Sequence, residues 1–494
     1  MTSNSDQVQI RRLPTGVPGL DSILGGGLPE YSFNLIGGPP GSGKTTLAHQ
    51  IMFSLARIDH RAIFFTLLGE PPLKMLRYQQ QFTFFDLKKV NESIRFINLS
   101  DEFAAGKFEH LIARISQEVE AFSPALVFVD SLRSLRLDVA AHLGAVSSQQ
   151  FIQELGILLG SWQATTFLIG EYASESDPQP VITVADGLIS LQQSVHRNSM
   201  VRKIQIPKMR GQKTSPGMHT FRITNAGLEI FSSTISSGDS AVDPANRPVD
   251  RQRRLAMGTA RLDEMLGGGL PVGYSLLVAG PSGSGKTVLA TNFLSEGVRR
   301  GEPGVLVAFE QTPSQLWNST VDDLVRARKI GLINTRSIDL SIDEIVQELL
   351  KLIHQMKATR VVIDSLSGFE LAVAPTFRED FRESLFRMVT TLAGLGVTVL
   401  MTSELEDRYT DLRFSPYGSA FLTDAIIVQR YIEIDSTLKR VMAVVKVRAS
   451  QHSNEIRQFE INESGIIIKD TVLDYEGLLG GRPKRLRPAA DGAM

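Results

Sequence analysis

The stretch Gly38-Pro39-Pro40-Gly41-Ser42-Gly43-Lys44-Thr45 decides the fold, and the related stretch Gly280-Pro281-Ser282-Gly283-Ser284-Gly285-Lys286-Thr287 lies half a chain later. Both match G-x-x-x-x-G-K-[ST], a loop whose backbone N–H groups surround the phosphates of a nucleotide. A short apolar run precedes each loop, and helical patterns follow from Lys44 to Ala56 and from Lys286 to Arg299. The order strand, phosphate loop, helix is the context that this motif requires. We therefore predict two nucleotide-binding modules.

The segments around the two loops also repeat. The pattern G-x-x-x-L-D-x-x-L-G-G-G-L-P occupies residues 16–29 and again residues 258–271. Pattern and loop keep one offset of 242 residues, the difference between 286 and 44. A repeat kept for structure alone is the alternative interpretation, but the two copies match best at the phosphate-binding residues. We interpret the chain as a duplicated module.

Apolar runs alternate with helical patterns in both halves. This alternation predicts an α/β fold in which each domain is a mostly parallel sheet flanked by helices. Composition then suggests four regions: an N-terminal domain at 1–231, a linker at 232–254, a C-terminal domain at 255–476 and a flexible tail at 477–494. The linker is rich in Ser, Asp, Pro and Arg, and the tail is rich in Gly, Pro and Arg.

Composition and charge argue against several classes of protein. The 494 residues carry 52 basic and 53 acidic side chains, so no overall positive charge indicates binding to nucleic acid. The chain has no cysteine, which excludes disulfides and thiol catalysis and suits a cytoplasmic protein. Residues 1–12 are polar, unlike a signal peptide, and no run of about 18 apolar residues predicts a membrane span. The basic side chains of the tail are interpreted as solvated, with contact to a partner or nucleic acid as the alternative.

The residues of the two loops are the candidates for binding ATP. Lys44 and Lys286 are expected to reach the β- and γ-phosphates. Each loop opens a helix, whose N-terminal dipole also favours an anion. The full set of candidates is Gly38, Gly41, Ser42, Gly43, Lys44, Thr45 and Thr46 in the first copy and Gly280, Gly283, Ser284, Gly285, Lys286, Thr287 and Val288 in the second.

Four residues are candidates for holding Mg²⁺. The hydroxyls of Thr45 and Thr287 follow the loop lysines, where such hydroxyls bind the metal. Asp130 and Asp364 each end an apolar strand, where a Walker-B carboxylate would hold the metal, in part through water. A carboxylate at a strand end can also cap a helix, which is the alternative for both aspartates.

A glutamate after the strand that follows the loop helix would activate water or an acceptor hydroxyl in a RecA-like ATPase. The candidates are Glu70 and Glu310. When Pro72 is aligned with Pro313, Gly69 takes the position of Glu310. A shift of one residue along a strand moves a side chain by about 3.3 Å and turns it to the other face. We therefore expect slower turnover in the first copy.

The chain resembles the circadian clock protein KaiC family. The resemblance is carried by the two loops, by the strands ending in Asp-Ser and by the late motifs Lys208-Met209-Arg210 and Lys446-Val447-Arg448. The resemblance covers residues 15–475, nearly the whole chain. It implies two RecA-like domains per chain and a double ring of six chains, with ATP and Mg²⁺ between neighbouring subunits. It also implies an ATPase ring, a ring that autophosphorylates on Ser and Thr, and a role in circadian-type or stress signalling, with a KaiB-like or other signalling partner.

The resemblance gives the late motifs a role. Lys208 and Arg210, like Lys446 and Arg448, are similar to the pair with which family members reach the γ-phosphate of a neighbouring subunit. Cations there would offset the charge of the transition state. On the residues alone, each pair could equally be strand residues that face solvent.

The paired glutamates of the family are incomplete in both copies. The resemblance makes the first glutamate of each pair the usual catalytic base. Gly69 replaces it in the first copy, whereas Glu310 keeps it in the second. In the same alignment Gln311 replaces the second glutamate and lies opposite Glu70.

The phosphorylated positions of the family are also changed. Aligned on Thr423-Asp424, the family's adjacent Ser and Thr become Ala420 and Phe421, which cannot accept phosphate. The neighbouring hydroxyls are Ser415, Ser419 and Thr423. These departures argue against a timekeeping phosphorylation cycle but leave the expectation of ATP binding and hydrolysis unchanged.

Two other functions remain as alternatives. A RecA-type DNA-dependent ATPase would need basic loops with interleaved aromatic residues, which the balanced charge does not support. A non-catalytic scaffold that senses nucleotide would need only the binding loops, and Gly69 makes this reading relevant to the first copy.

Overall fold

A computed structural model describes residues 10–67, 72–104, 108–131, 154–171, 180–196, 199–232, 252–309, 319–334, 341–373, 381–405, 422–462, 465–471, 475–480 and 484–485. The chain divides into two compact units, residues 1–238 and 239–494. Each unit contains one nine-stranded sheet with helices packed against it. The predicted α/β fold with two tandem domains is confirmed.

The first unit contains eleven described strands: β1 (Arg12–Leu13), β2 (Leu28–Pro29), β3 (Phe33–Gly37), β4 (Ala62–Thr66), β5 (Ile94–Asn98), β6 (Leu126–Asp130), β7 (Thr165–Gly170), β8 (Gly187–His196), β9 (Ser199–Met209), β10 (Met218–Thr224) and β11 (Gly227–Phe231). Its described helices are Leu20–Leu24, Lys44–Leu55, Pro72–Gln79, Ser100–Ala104, Phe108–Phe122, 154–161 and Pro180–Val184, with a 3₁₀ turn at Leu87–Lys89.

The first sheet has the strand order β11-β10-β9-β8-β3-β7-β6-β4-β5. The six strands from β8 to β5 run parallel to their neighbours, and β9, β10 and β11 continue the sheet as an antiparallel meander. The parallel strands are continuous apolar runs because helices cover both of their faces. In such a sheet, ligands bind at the carboxyl ends of the strands.

The helix Lys44–Leu55, here the first loop helix, covers one face of the first sheet. Its side chains Leu47 and Ile51 share a core with alternate residues of the strands. The helix Phe108–Phe122 packs on the opposite face, against the strand residues that alternate with those of the first face. The strand residues on the loop-helix face are Ile36, Phe64, Phe128, Phe167 and Ile169, and those on the other face are Phe33, Leu35, Ile63, Phe65, Leu67, Val127, Val129 and Leu168.

The second unit contains thirteen described strands: β12 (Arg254–Leu255), β13 (Leu270–Pro271), β14 (Ser275–Gly280), β15 (Gly304–Ala308), β16 (Ile330–Asn334), β17 (Arg360–Asp364), β18 (Thr398–Glu404), β19 (Ala425–Ile434), β20 (Thr437–Val447), β21 (Arg457–Asn462), β22 (Gly465–Thr471), β23 (Tyr475–Glu476) and β24 (Lys484–Arg485). Its described helices are Ala260–Met265, Lys286–Arg299, Ser319–Arg326, Ile342–Met356, Leu366–Ala372 and Phe381–Gly394.

The second sheet repeats the topology of the first, in the order β16-β15-β17-β18-β14-β19-β20-β21-β22. The helix Lys286–Arg299, here the second loop helix, covers one face through Leu289 and Phe293. The helices Ile342–Met356 and Phe381–Gly394 cover the other. No helix among the described residues is long and apolar enough to cross a membrane.

Part of the segment expected to be a flexible tail packs on the second unit. Residues Leu478–Gly480 form a 3₁₀ turn, and Leu478 is buried against Ile432 and Val441. The short strand β24 pairs with β23 just before it. These contacts extend the folded part of the second unit beyond residue 476, the end predicted from composition.

Candidate nucleotide sites

Both phosphate loops have the same local geometry. Gly43 and Gly285 precede the loop helices with φ angles of 100° and 104°, a left-handed conformation that glycine adopts readily. Lys44 Nζ donates to the carbonyl oxygens of Gly38 and Pro39 at 2.9 and 2.8 Å. In the second loop, Lys286 Nζ makes the equivalent bonds to Gly280 and Pro281 at the same distances. Each ammonium group is therefore held at the mouth of its loop.

The loops pack tightly against the neighbouring strand. A Cβ atom on Gly38 would lie 2.2 Å from the carbonyl oxygen of Leu191, so only glycine fits there. The serine inside each loop is fully buried, and its surroundings differ between the copies. Ser284 Oγ donates to Gln429 Oε1 at 3.1 Å, whereas Ser42 Oγ is buried without a hydrogen-bond partner.

The strand-end aspartates also have different partners. In the first unit, Thr45 Oγ1 donates to Asp130 Oδ2 at 2.9 Å, which joins the two residues predicted to hold the metal. In the second unit, Asp364 Oδ1 accepts a hydrogen bond from Thr402 Oγ1. The helix that follows Asp364 is capped by Ser365, whose Oγ accepts from Gly368 N at 3.1 Å. The capping role is thus taken by the serine and not by the aspartate.

The residues around each loop fit a nucleotide with a bound Mg²⁺. Backbone N–H groups at a helix N-terminus and a lysine ammonium suit phosphate oxygens. A threonine hydroxyl and one carboxylate suit a metal ion that keeps several waters and also binds the phosphates. No group of three or more His, Asp or Glu side chains that could hold a metal is found in the described parts of the chain.

Lys208 and Arg210 lie at the edge of the first sheet opposite its phosphate loop. Arg210 N donates to Asp186 O, and Asp186 N donates to Phe33 O at the beginning of β3. Lys208 Nζ donates to Thr183 O at 3.2 Å, and Arg210 Nη1 contacts Asp186 Oδ1 at 3.2 Å. Since the loop follows the other end of β3, this pair cannot contact the loop of its own unit.

Lys446 and Arg448 occupy the same place in the second unit. Lys446 Nζ donates to Thr423 O at 2.6 Å, and Arg448 Nη1 contacts Asp424 Oδ1 at 3.2 Å. Asp424 N in turn donates to Ser275 O at the beginning of β14. Both pairs therefore place two cations at the amino edge of their sheet, the edge at which the parallel strands begin.

Electrostatics distinguish the lysines of these pairs from ordinary surface lysines. Partial burial, and then repulsion by the neighbouring arginine, lower the pKa of Lys208 and of Lys446. The nearby carboxylates of Asp186 and Asp424 oppose this effect. An incoming anionic phosphate would relieve the repulsion within each pair.

The predicted catalytic glutamates, Glu70 and Glu310, and the neighbouring Gly69 and Gln311 lie outside the described residues. The described strands nevertheless fix how the two copies align up to this point.

The strands before the glutamates keep the offset of 242 residues. Thr66 pairs with Asp130, and Ala308 pairs with Asp364 at the same place in the second unit. The next residue of each strand donates a backbone hydrogen bond to the carbonyl oxygen of the same aspartate. Counting onward without a gap sets Leu68 opposite Glu310. At the offset of 242 residues, the sequence numbers set Leu68 opposite Glu310, Gly69 opposite Gln311 and Glu70 opposite Thr312, whereas alignment on the prolines sets Gly69 opposite Glu310.

A phosphate loop after the central strand of a mostly parallel sheet, with a strand-end aspartate two strands away, defines a P-loop ATPase with a RecA-like fold. The family model "ATPase: KaiC" matches residues 13–235 and 255–472, and the chain belongs to this family as a KaiC-like ATP-binding protein.

Several curated relatives are similar over almost the whole chain. The circadian clock oscillator protein KaiC of Rippkaea orientalis is 28% identical, with 98% of this chain and 94% of the relative covered. The proteins of the same name from Picosynechococcus sp. and Synechococcus elongatus are 27% and 26% identical, with 98% of this chain and 95% and 94% of the relatives covered. The similarity thus extends over both repeats.

Proposed function

We propose that this chain forms a ring of identical subunits, with ATP and Mg²⁺ at both phosphate loops, that hydrolyses ATP and phosphorylates itself on serine. The observation that carries the proposal is the position of the Lys-x-Arg pairs. They lie at the amino edge of each sheet, whereas the loop of the same unit follows the carboxyl end of the central strand.

The separation of cations and loop favours catalysis between subunits. The same surface cannot supply both the phosphate and the arginine, so a neighbouring chain has to complete each site. A head-to-tail contact that repeats around an axis produces a closed ring. The resemblance to the KaiC family supports six subunits in that ring.

Each residue of one site would then have its own role in binding or catalysis. Lys44 or Lys286 would exchange its loop carbonyls for the β- and γ-phosphate oxygens. Bound Mg²⁺ would neutralise the charge on the β- and γ-phosphates, held by Thr45 and Asp130 or by Thr287 and Asp364. The lysine and arginine of the neighbouring subunit would stabilise charge that develops on the transferred phosphoryl group.

Burial reduces the number of candidate acceptors for the phosphoryl group. Thr423 has 0% of its surface exposed, and its carbonyl oxygen accepts the hydrogen bond from Lys446. Its hydroxyl is thus withdrawn from a nucleotide on a neighbouring chain. We propose Ser415 or Ser419 instead, both of which lie outside the described residues. The hydroxyl oxygen would attack the γ-phosphorus, the bond to the β–γ bridging oxygen would break, and the proton would pass to Glu310.

We further propose that these reactions serve circadian-type or stress signalling in the cytoplasm, through a KaiB-like or other signalling partner. The family membership and the relatives named as clock oscillator proteins support this role. The changed positions Ala420 and Phe421 favour signalling without a sequential two-site phosphorylation cycle.

The proposal is tested by incubating the purified chain with Mg-ATP. Release of phosphate, phosphopeptides found by mass spectrometry and the mass of the assembly by light scattering would be measured together. We expect ATP-dependent rings, turnover and phosphate on Ser415 or Ser419. Chains with Lys44→Ala, Lys286→Ala or both changes assign each activity to a copy. A monomer that hydrolyses ATP only with single-stranded DNA would contradict the proposal and favour a RecA-type motor.

A further inference from the structure

A glutamate stands at the end of the strand beside each phosphate loop, and the sequence analysis did not single out either one. Glu171 follows β7, and Glu404 is the last residue of β18. These two residues are called the strand-end glutamates below. β7 and β18 pair with β3 and β14, the strands that lead into the loops.

Backbone hydrogen bonds tie the strand-end glutamates to the first glycine of each loop. Gly38 N donates to the oxygen of Gly170, the residue before the first of them, at 3.3 Å. Leu405 N, directly after the second, donates to Gly280 O at 3.1 Å. That same oxygen accepts the hydrogen bond from Lys286 Nζ at 2.9 Å. The backbone beside the second strand-end glutamate and the loop lysine thus share one acceptor.

The strand-end glutamates also lie on the loop-helix face of their sheets. Successive side chains of a strand point to opposite faces. Ile169 packs in the core of the first loop helix, so Glu171, two residues later, follows on that side. In the second unit Leu400 belongs to the loop-helix core and Leu405 to the opposite core. Glu404 therefore lies on the side of the phosphate loop.

The first copy lacks a carboxylate where the second has one. In the sequence, the offset of 242 residues that the described strands keep sets Leu68 opposite Glu310 and Gly69 opposite Gln311. Glu70 comes two residues after the position of the catalytic glutamate in the second copy. A carboxylate at the end of β7, the strand directly beside the loop strand β3, can replace it, because it lies on the same face and beside the same loop.

We propose that Glu171 is the catalytic base of the first copy, an inference that rests on the proposed hydrolysis of ATP. Its carboxylate accepts the proton of the attacking water. The water oxygen bonds to the γ-phosphorus while the bond from that phosphorus to the β–γ bridging oxygen breaks, which yields ADP and inorganic phosphate. In the second copy Glu310 takes the proton, and Glu404 is an auxiliary carboxylate.

The test uses the full chain with Lys286→Ala, in which turnover reports the first copy. We expect Glu171→Gln to lower phosphate release by about 100-fold or more, the usual contribution of a general base. Binding of a fluorescent ATP analogue should change by less than about threefold, because the loop is untouched. Glu171→Asp keeps a carboxylate and should recover part of the rate. Glu120→Gln, an exposed change on the helix Phe108–Phe122, is the matched control.

Three results would overturn the inference. Glu171→Gln could leave turnover unchanged, or Glu70→Gln could abolish it while Glu171→Gln does not. The Lys286→Ala chain could also bind ATP without releasing phosphate while the unmodified chain still turns over, in which case the proposed function stands and the inference fails. A chain that hydrolyses ATP at neither loop would contradict both.

Discussion

Thr402 Oγ1 donates a hydrogen bond to the carboxylate of Asp364, whereas the matching position of the first unit is Ile169. Both side chains lie on the loop-helix face of the sheet: Thr402 is on β18, next to the loop strand β14, and Asp364 is on β17, two strands from β14. The two copies therefore orient their strand-end aspartates by different means, although their phosphate loops are nearly identical in geometry.

We expect Thr402→Val to weaken binding of Mn²⁺, as a substitute for Mg²⁺, at the second site by about 10-fold, because residues that orient metal ligands contribute about 10- to 100-fold to affinity. Electron paramagnetic resonance of Mn²⁺ with ADP would measure this. Thr402→Ser keeps the hydroxyl and should behave as the unmodified chain. Ile169→Val is the matched change in the first unit and should leave both sites unaltered. Equal affinities for Thr402→Val and Thr402→Ser would contradict this account.

The arginines at the amino edge should act on a neighbouring chain. We expect Arg448→Ala to lower turnover at the second loop by about 1000-fold, the low end for an arginine supplied in trans. ATP binding should persist, since the loop remains. Arg326→Ala, an exposed arginine of the same unit, should have no effect.

Mixing subunits tests the trans arrangement directly. Arg448→Ala chains keep the loop, and Lys286→Ala chains keep the arginine, so mixed rings should regain activity that neither pure ring has. Phosphate release would be followed as the ratio of the two chains is varied. A mixture no more active than the sum of its parts would mean that Arg448 serves its own chain.

A buried ion pair should stabilise the second unit. The Arg360 side chain is fully buried, and its Nε and Nη2 donate to Glu302 Oε2 at 3.1 and 2.5 Å. We expect Glu302→Gln to cost about 3–5 kcal/mol in the free energy of unfolding, because it leaves a buried charge without its partner. The double change Glu302→Gln with Arg360→Leu should cost less, since leucine occupies the equivalent position, Leu126, in the first unit. Calorimetric unfolding of each chain gives the comparison; a double variant less stable than the single one would contradict it.

The ion pair between Arg360 and Glu302 also predicts that the second unit loses stability at acidic pH. Burial raises the pKa of Glu302, but the hydrogen bonds and charges of Arg360 and Arg253 outweigh burial and hold that pKa below its usual value. A lowered carboxylate pKa stabilises the fold above the pKa of the unfolded chain, and this stability is lost as the pH falls through the lower folded value.

His49 predicts a second pH dependence, at milder acidity and in the first unit. It is fully buried on the first loop helix, with its ring 4.7 Å from that of Phe64, and burial lowers the pKa of His49 from 6.5 to about 4. Because the unfolded chain takes up a proton first, the stability of this unit should fall between about pH 6.5 and pH 4.

We expect a loss of about 2 kcal/mol in the free energy of unfolding of the first unit between pH 7 and pH 5. His49→Met, which keeps an apolar contact at this position, should remove most of that dependence. Thermal unfolding at both pH values would measure it. The same slope in both chains would show that other groups are responsible.

Much of the core fold was predictable because its signals are local. The helix predicted over Lys44–Ala56 is found at Lys44–Leu55, and the one predicted over Lys286–Arg299 is found there. Apolar runs also predicted the parallel strands. The antiparallel meander β9 to β11 was not predicted, since its half-buried strands lack the continuous apolar runs of the parallel ones.

The sequence by itself determined the two phosphate loops, because consecutive residues supply the N–H groups, the lysine and the threonine that bind phosphate. Tertiary structure decided which distant residues join them. The order of the strands brought Glu171, at the end of β7, beside the first loop, and the long stretch of sequence between them hides such a pairing from linear alignment. The direction of the strands placed Arg210 and Arg448 at the edge away from their own loops, a separation that no pattern of consecutive residues shows.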